Sequence, residues 1–226
     1  MISGKLSIVA TPIGNLQDIT FRALEILKSA DAVLCEDTRV TRKMLQFFDI
    51  ETKTLSYHHH STGKVWKQIA DLLKDGKHLA LVTDAGTPGV SDPGNELIAR
   101  CVTHIPGVII EPIPGPSAVV AALSIAGFKS DSFLFLGFPP HKKRRKAFFE
   151  NVVGSPHTVV FYESPYRIEK ALTTLASLFG SERKVCVCRE LTKKFEQVYR
   201  GTVGDILREG VKTKGEFVIV CEGKKT

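Results

Sequence analysis

The 226-residue chain contains no run of eighteen apolar residues, which excludes a hydrophobic transmembrane helix. Its first ten residues, MISGKLSIVA, lack the layout of a secretory signal, so a soluble, cytoplasmic protein with no membrane partner is expected. Neither G-x-G-x-x-G nor G-x-x-x-x-G-K-[ST] occurs, so neither a Rossmann dinucleotide site nor a triphosphate loop is implied. Cysteines are few. Cys35, Cys101, Cys186, Cys188 and Cys221 are odd in number, lack metal-ligand spacing and mostly have apolar neighbours, which fits reduced, buried thiols and no metal.

What the chain does have is a set of glycine- and proline-rich loops between apolar runs and helical ones. The densest is Thr83 to Gly94, TDAGTPGVSDPG. Leu79 to Val82 before it reads as a short buried strand; after it, Asp92 reads as a cap and Pro93 as the first turn of a helix. Gly86 and Gly89 permit backbone angles or close approaches that a Cβ would block, and Asp84 sets a carboxylate at the strand's carboxyl end. In open α/β sheets, ligands bind at that end.

The same device recurs. Leu6 to Ala10 is a strand that runs through Thr11–Pro12–Ile13–Gly14–Asn15–Leu16–Gln17–Asp18 into a helix over Thr20 to Ala30. Ala32 to Cys35 ends in Glu36–Asp37–Thr38–Arg39 before a helix to Phe47; those charges either form a local salt-bridged cap or face a substrate. A strand near Val108 to Ile110 leads to Pro112–Ile113–Pro114–Gly115–Pro116–Ser117 and an alanine-rich helix, Ala118 to Ala126, whose N-terminus suits an anion.

Beyond a hinge at residues 127–131 the pattern changes. Strands at Phe133 to Leu136, Thr158 to Tyr162, Lys184 to Cys188, Glu196 to Thr202 and Glu216 to Cys221 suggest a partly antiparallel sheet. The expectation is an α/β fold of two α/β domains, 1–127 and 131–226, with a cleft between them. Charge divides with them: residues 1–130 carry 13 Lys plus Arg against 13 Asp plus Glu, and residues 131–226 carry 18 against 11, which is the whole net charge of +7. Lys142–Lys143–Arg144–Arg145–Lys146, expected to open a helix running to Val152, has only Glu150 as a nearby acid in sequence, and reads as either a solvated helix face or a polyanion contact. His58–His59–His60 make a poor metal site, because adjacent side chains diverge, and fit an exposed polar or RNA-facing loop; a helix is expected from Ser61.

Seven segments in order, TPIGNLQDIT, CEDTR, TDAGTPGVSDPG, PIPGPSA, FYESPYR, RELTK and KGEFVIV, resemble the tetrapyrrole-methylase superfamily. Within it they are similar to the branch that methylates the ribose 2′-oxygen of a cytidine in 16S rRNA of the small ribosomal subunit. Longer members of that branch carry a helical extension after the last strand, where this sequence ends at Thr226. The resemblance implies S-adenosylmethionine as cofactor, a homodimer and no metal. It places the cofactor against Asp84, Ala85, Gly86, Thr87, Val90, Ser117 and Ala118, with Tyr162, Arg189 and Phe217 from the second domain. Asp37 or Glu163 is expected as proton acceptor, Arg39 and Arg167 either as holders of phosphate or ribose or simply as ion-pair partners of those acids, and Asn15, Asp18 and Glu36 as supporting substrate contacts. The run Lys142 to Lys146 is expected on rRNA phosphates. A methylase acting on a tetrapyrrole or a protein side chain, and a non-catalytic RNA-binding factor, are the rival readings.

Overall fold

A computed structural model describes residues 4–58, 63–179 and 183–224, apart from the Phe179 side chain. His59, His60 and the helix start expected at Ser61 lie outside the described residues. The chain divides into two compact units, Met1–Ser117 and Ala118–Thr226.

In the first unit, β1 (Lys5–Val9), β2 (Ala32–Cys35), β3 (Thr54–Ser56), β4 (His78–Leu81) and β5 (Ile109–Ile113) form one sheet in the order β3-β2-β4-β1-β5, with every neighbouring pair parallel. The strand β2 shows why. All four of its residues are buried, as expected where helices cover both faces of a parallel sheet. Alternate side chains go to opposite faces. Leu6, Leu34, Leu79 and Leu81 pack with Ile69 and Leu73 of α3 (Gly63–Lys74) and Leu97 and Cys101 of α4 (Asn95–His104). Val9, Val33, Cys35 and Ala80 pack with Leu27 of α1 (Phe21–Ser29) and Met44 and Leu45 of α2 (Thr38–Phe47).

This topology opens a crevice. The chain leaves β1 toward β2, past the position β4 later fills, and leaves β4 in the opposite direction, past β1, toward β5. Right-handed crossovers that run in opposite directions put their helices on opposite faces, and α1 and α4 do pack on opposite faces. The carboxyl ends of the adjacent strands β1 and β4 therefore lie at a topological switch point. Caps fix the loop exits: the Thr20 side chain accepts from Ala23 N–H ahead of α1, and the Asp37 side chain from Arg39 N–H ahead of α2. At α4 the capping residue is Gly94, with no side-chain cap, so Asp92 does not fill the expected role and Pro93 lies ahead of the helix.

In the second unit, β6 (Phe133–Phe135), β7 (Thr158–Glu163), β8 (Lys184–Arg189), β9 (Gln197–Thr202) and β10 (Phe217–Cys221) run in the order β6-β7-β10-β8-β9. The pair β6/β7 is parallel and the rest are antiparallel. One face packs on α6 (Arg145–Gly154), α7 (Ile168–Phe179) and α8 (Val203–Glu209) through Phe149, Phe161, Leu172, Ile206 and Ile219. The other receives α5 (Ala118–Ala126), which contacts β7, β8 and β10. Its small Ala122 and Ala126 let it approach closely. Because α5 packs here, the units divide after Ser117, where a hinge at residues 127–131 was expected. The five cysteines are buried free thiols, and the sulfurs of Cys186 and Cys188, two apart on β8, lie 3.7 Å from each other. Among the described residues no helix is long and apolar enough to cross a membrane.

Candidate active site

The loops that leave β1, β4 and β5 are laced together at the carboxyl edge of the first sheet. Thr11 N–H donates to Gly86 O at 2.9 Å, and Gly86 N–H donates to Thr11 O at 3.0 Å, a single antiparallel bridge at the switch point. The Thr11 hydroxyl donates to Thr83 O at 3.0 Å, and the Thr87 hydroxyl to Pro116 O at 3.2 Å. Two glycines are required by geometry. Gly86 has φ of +86°, and Gly89 combines φ of +83° with Asn95 Oδ1 standing 2.6 Å from where a Cβ would be. Asn95 Nδ2 donates to Gly89 O at 2.8 Å and closes the loop on α4.

Two buried side-chain oxygens have no hydrogen-bond partner among the described residues: Thr83 Oγ1 at the end of β4 and Asp18 Oδ2 on the loop after β1. Both lie on the loops that flank the switch point. An unpaired buried polar atom costs about 1–3 kcal/mol, so both oxygens are candidates for contact with a ligand bearing hydroxyl or amino groups. Asp84, Ala85 and Val90 are exposed beside them, and Ser117 and Ala118 are partly exposed at the start of α5. The Asn15 side chain accepts from Gln17 N–H, so it shapes the short helical turn Leu16–Asp18.

Asp37 and Arg39 form the local salt-bridged cap. Asp37 Oδ1 accepts from Arg39 N–H at 2.8 Å and from Nε at 3.1 Å, and Arg39 Nη2 donates to Oδ2 at 2.7 Å. These bonds hold the Asp37 carboxyl at about 2. Partial burial pushes the Asp84 carboxyl up from its ordinary value, and Asp84 accepts weakly from Asp37 N–H at 3.4 Å. Arg39 remains 84% exposed at its side chain, and Glu36 is exposed beside it.

In the second unit the sequence-predicted residues fall into separate groups. Glu163, with no side-chain exposure, accepts from Arg145 Nη2 at 2.8 Å, lies 3.0 Å from Arg167 Nε and accepts from Ser164 N–H at 2.8 Å. With its side chain fully buried, out of reach of any substrate atom, it is an anchor for two arginines, whereas Asp37 keeps 28% of its side chain exposed. Arg145 is correspondingly drawn out of the basic run, with 12% of its side chain exposed. The helix starts at Arg145 and not at Lys142, because Arg144 takes a left-handed conformation with φ of +65°. Lys142, Lys143 and Arg144 form an exposed turn ahead of it, and Lys146 pairs with Glu150 at 3.6 Å. Arg167 also donates to Ser164 Oγ and to Pro139 O.

Tyr162, Arg189 and Phe217 do not form one surface. Glu163, Phe217 and Arg189 are directly opposed across β7, β10 and β8, so they share the face that carries α6 to α8; Tyr162, one residue before Glu163, points to the α5 face. Phe217 is buried in the core. Arg189 is buried too, with its guanidinium donating to the backbone oxygens of Lys214 and Phe195 and to Gln197 Oε1. These two side chains hold the β8–β9 hairpin and the approach to β10.

The Thr11–Gly86 bridge and the Arg145 arm of the Glu163 anchor were not found from sequence, because each joins segments well separated along the chain; the pairing of Arg167 with Glu163, four residues apart, was one of the two alternatives expected.

Comparison with known proteins gives a consistent result. The family model described as tetrapyrrole (corrin/porphyrin) methylases matches residues 5–207. A ribosomal RNA small subunit methyltransferase I of Halalkalibacterium halodurans is 45% identical over 224 residues, covering 97% of this chain and 76% of the relative. The protein of that name in Bacillus subtilis is 42% identical over 223 residues, covering 97% of this chain and 75% of its own length. Among solved structures, a cobalt precorrin-4 methyltransferase of cobalamin biosynthesis superposes with a TM-score of 0.72 at 21% identity, covering 96% of this chain and 94% of that one. That likeness is one of fold.

Proposed function

The chain belongs to the tetrapyrrole methylase family, and on that premise we propose that it transfers a methyl group from S-adenosylmethionine to the ribose 2′-oxygen of a cytidine in 16S rRNA. The relatives at 42–45% identity carry a ribosomal RNA methyltransferase name, and the segregation of the whole net positive charge into the second half favours a polyanion over a small tetrapyrrole. The resemblance further implies a cytoplasmic homodimer that acts on the small ribosomal subunit.

The observation that carries the reading is the pair of unsatisfied buried oxygens at the switch point. When bound, the cofactor supplies an electrophilic methyl carbon, which the ribose oxygen takes as the sulfonium becomes a neutral thioether. The residues of this chain do the rest. Thr83 Oγ1 and Asp18 Oδ2 meet the hydroxyl and amino groups of the cofactor, and Asp84 to Val90 with Ser117 and Ala118 supply polar backbone and small walls. Arg39, largely exposed beside its cap, holds the sugar-phosphate chain. Asp37, held at about 2, cannot deprotonate a free alcohol, but it can take the proton from an ether oxygen that has already gained the methyl group. In this scheme the ribose proton is lost late, to Asp37 and then to water.

Thr83→Val tests the ligand edge. It removes the unsatisfied hydroxyl and keeps the shape, so cofactor affinity, measured by calorimetry, should fall about ten-fold while the unliganded protein, relieved of an unpaired buried group, melts a few degrees higher, at about 2–4 °C per kcal/mol. An unchanged affinity would remove Thr83 from the site.

The function itself is tested by incubating the protein and labelled S-adenosylmethionine with small ribosomal subunits and, separately, with protein-free 16S rRNA, then mapping the label. A single labelled ribose 2′-oxygen supports the reading. Cofactor binding with no label on either RNA overturns it in favour of a small-molecule or protein methylase.

A further inference from the structure

The loop after β6 and the turn after β7 are held by one carboxylate. Arg145 reaches from Glu163 to Pro140 O at 3.3 Å, Arg167 reaches from Glu163 to Pro139 O at 3.4 Å, and Tyr162 N–H donates to Gly137 O at 2.9 Å. Two aromatic side chains project from the segments so fixed. Phe138 is 54% exposed and Tyr166 is 95% exposed, whereas the proline between Phe138 and the lock, Pro139, is buried. The Phe138 ring is backed on one side by Tyr162, 5.2 Å away. Lys142, Lys143 and Arg144 stand exposed on the same short loop, the last held there by its left-handed backbone.

Exposed aromatics rigidly mounted next to unpaired cations match one ligand chemistry. The faces of unpaired nucleobases stack on the rings while the cations meet the phosphates between them. A duplex offers phosphates but no free base faces, and a porphyrin-sized acid would not need three cations in a row on an open turn. We infer that Phe138 and Tyr166, fixed by the Arg145–Glu163–Arg167 lock beside Lys142–Arg144, form a stacking platform for unpaired bases of single-stranded RNA. This rests on the proposed RNA substrate and adds the form in which it is read: the target nucleotides are presented unstacked. Glu163 and Arg145 are then positioning residues for the platform.

The two kinds of contact separate experimentally. Affinity is measured by fluorescence anisotropy with a labelled single-stranded oligoribonucleotide of mixed sequence, and with the same strand annealed to its complement, at several salt concentrations. Phe138→Ala and Tyr166→Ala should each weaken single-strand binding about ten-fold, leave duplex binding within about two-fold, and leave the slope of log K against log salt unchanged. Lys142→Ala with Lys143→Ala should weaken both RNAs and make that slope shallower by about 1.4–1.8, counting roughly 0.7–0.9 per phosphate contact. A Tyr166→Trp variant should retain single-strand binding and show a fluorescence change on adding the single strand. Equal losses on single strand and duplex, or no loss from either aromatic substitution, overturn the platform. If the wild-type protein binds the single strand but methylates no RNA, the proposed activity fails and the platform stands. If it methylates rRNA and both alanine variants bind and methylate normally, the platform fails and the activity stands.

Discussion

Asp37→Asn is expected to lower the methyl-transfer rate by about 10²- to 10⁴-fold while leaving cofactor affinity and melting temperature unchanged. Asparagine is as good a helix N-cap as aspartate, so the bond to Arg39 N–H that starts α2 survives the substitution. The lost ion pair with Arg39 is solvent-exposed and contributes little to stability. What disappears is the negative charge that faces the positive charge developing on the ribose oxygen as it gains the methyl group, and a preorganised charge of that kind contributes rate factors of about that size. The pH dependence has a definite sign. The Asp37 carboxyl is depressed to about 2, below its ordinary 3.8, so its contribution is fully present above pH 3.8 and is lost only as pH falls through about 2. The rate between pH 5 and 9 should therefore carry no inflection from Asp37. Single-turnover rates across that range, with calorimetry for the cofactor and a thermal melt for the fold, check the set. An Asp37→Asn protein that turns over normally cannot have Asp37 as proton acceptor, and one that melts early makes the residue structural.

Much of this site could be read along the chain because its parts are local. A strand, a Gly/Pro loop and a helix announce themselves by apolar runs and turn residues, and the loops after β1, β4 and β5 were legible on that basis. The Asp37 cap was legible as one of two alternatives, since both partners lie two residues apart. The order of strands was not. Nothing in an apolar run says which neighbour it takes, so the switch point between β1 and β4, and with it the meaning of Thr83 and Asp18, came only with the sheet order. The facing of side chains was not legible for a related reason. Arg189 and Phe217 sit at strand ends that look open in sequence, but the pairing Glu163–Phe217–Arg189 sets their side chains toward the helical face and into packing. The basic run misled by its uniformity. Five cations in succession read alike until one of them, Arg145, finds a carboxylate eighteen residues on, leaving the first three as the exposed turn.

Glu163→Gln is expected to destabilise the second unit strongly. The substitution keeps the volume, but a neutral amide cannot serve two guanidiniums, and those of Arg145 and Arg167 are only 12% and 19% exposed. Leaving buried charge without its partner costs about 3–5 kcal/mol, which for a protein of this size lowers the melting temperature by roughly 6–20 °C at about 2–4 °C per kcal/mol. That loss would not show that the ion pairs themselves stabilise the fold, because the desolvation of three charged groups offsets most of their mutual attraction. The triple variant Arg145→Met, Glu163→Met, Arg167→Met separates the two effects. With no charge left to desolvate, it should recover most of the lost melting temperature. It also lacks the donors that pin Pro139 O and Pro140 O, so the Gly137–Arg144 loop is no longer fixed and single-stranded RNA binding should stay weak. Recovery of stability without recovery of RNA binding assigns the buried cluster to holding the loop in one conformation. Recovery of both would make the cluster dispensable, and failure to recover stability would make it a net contributor to the fold.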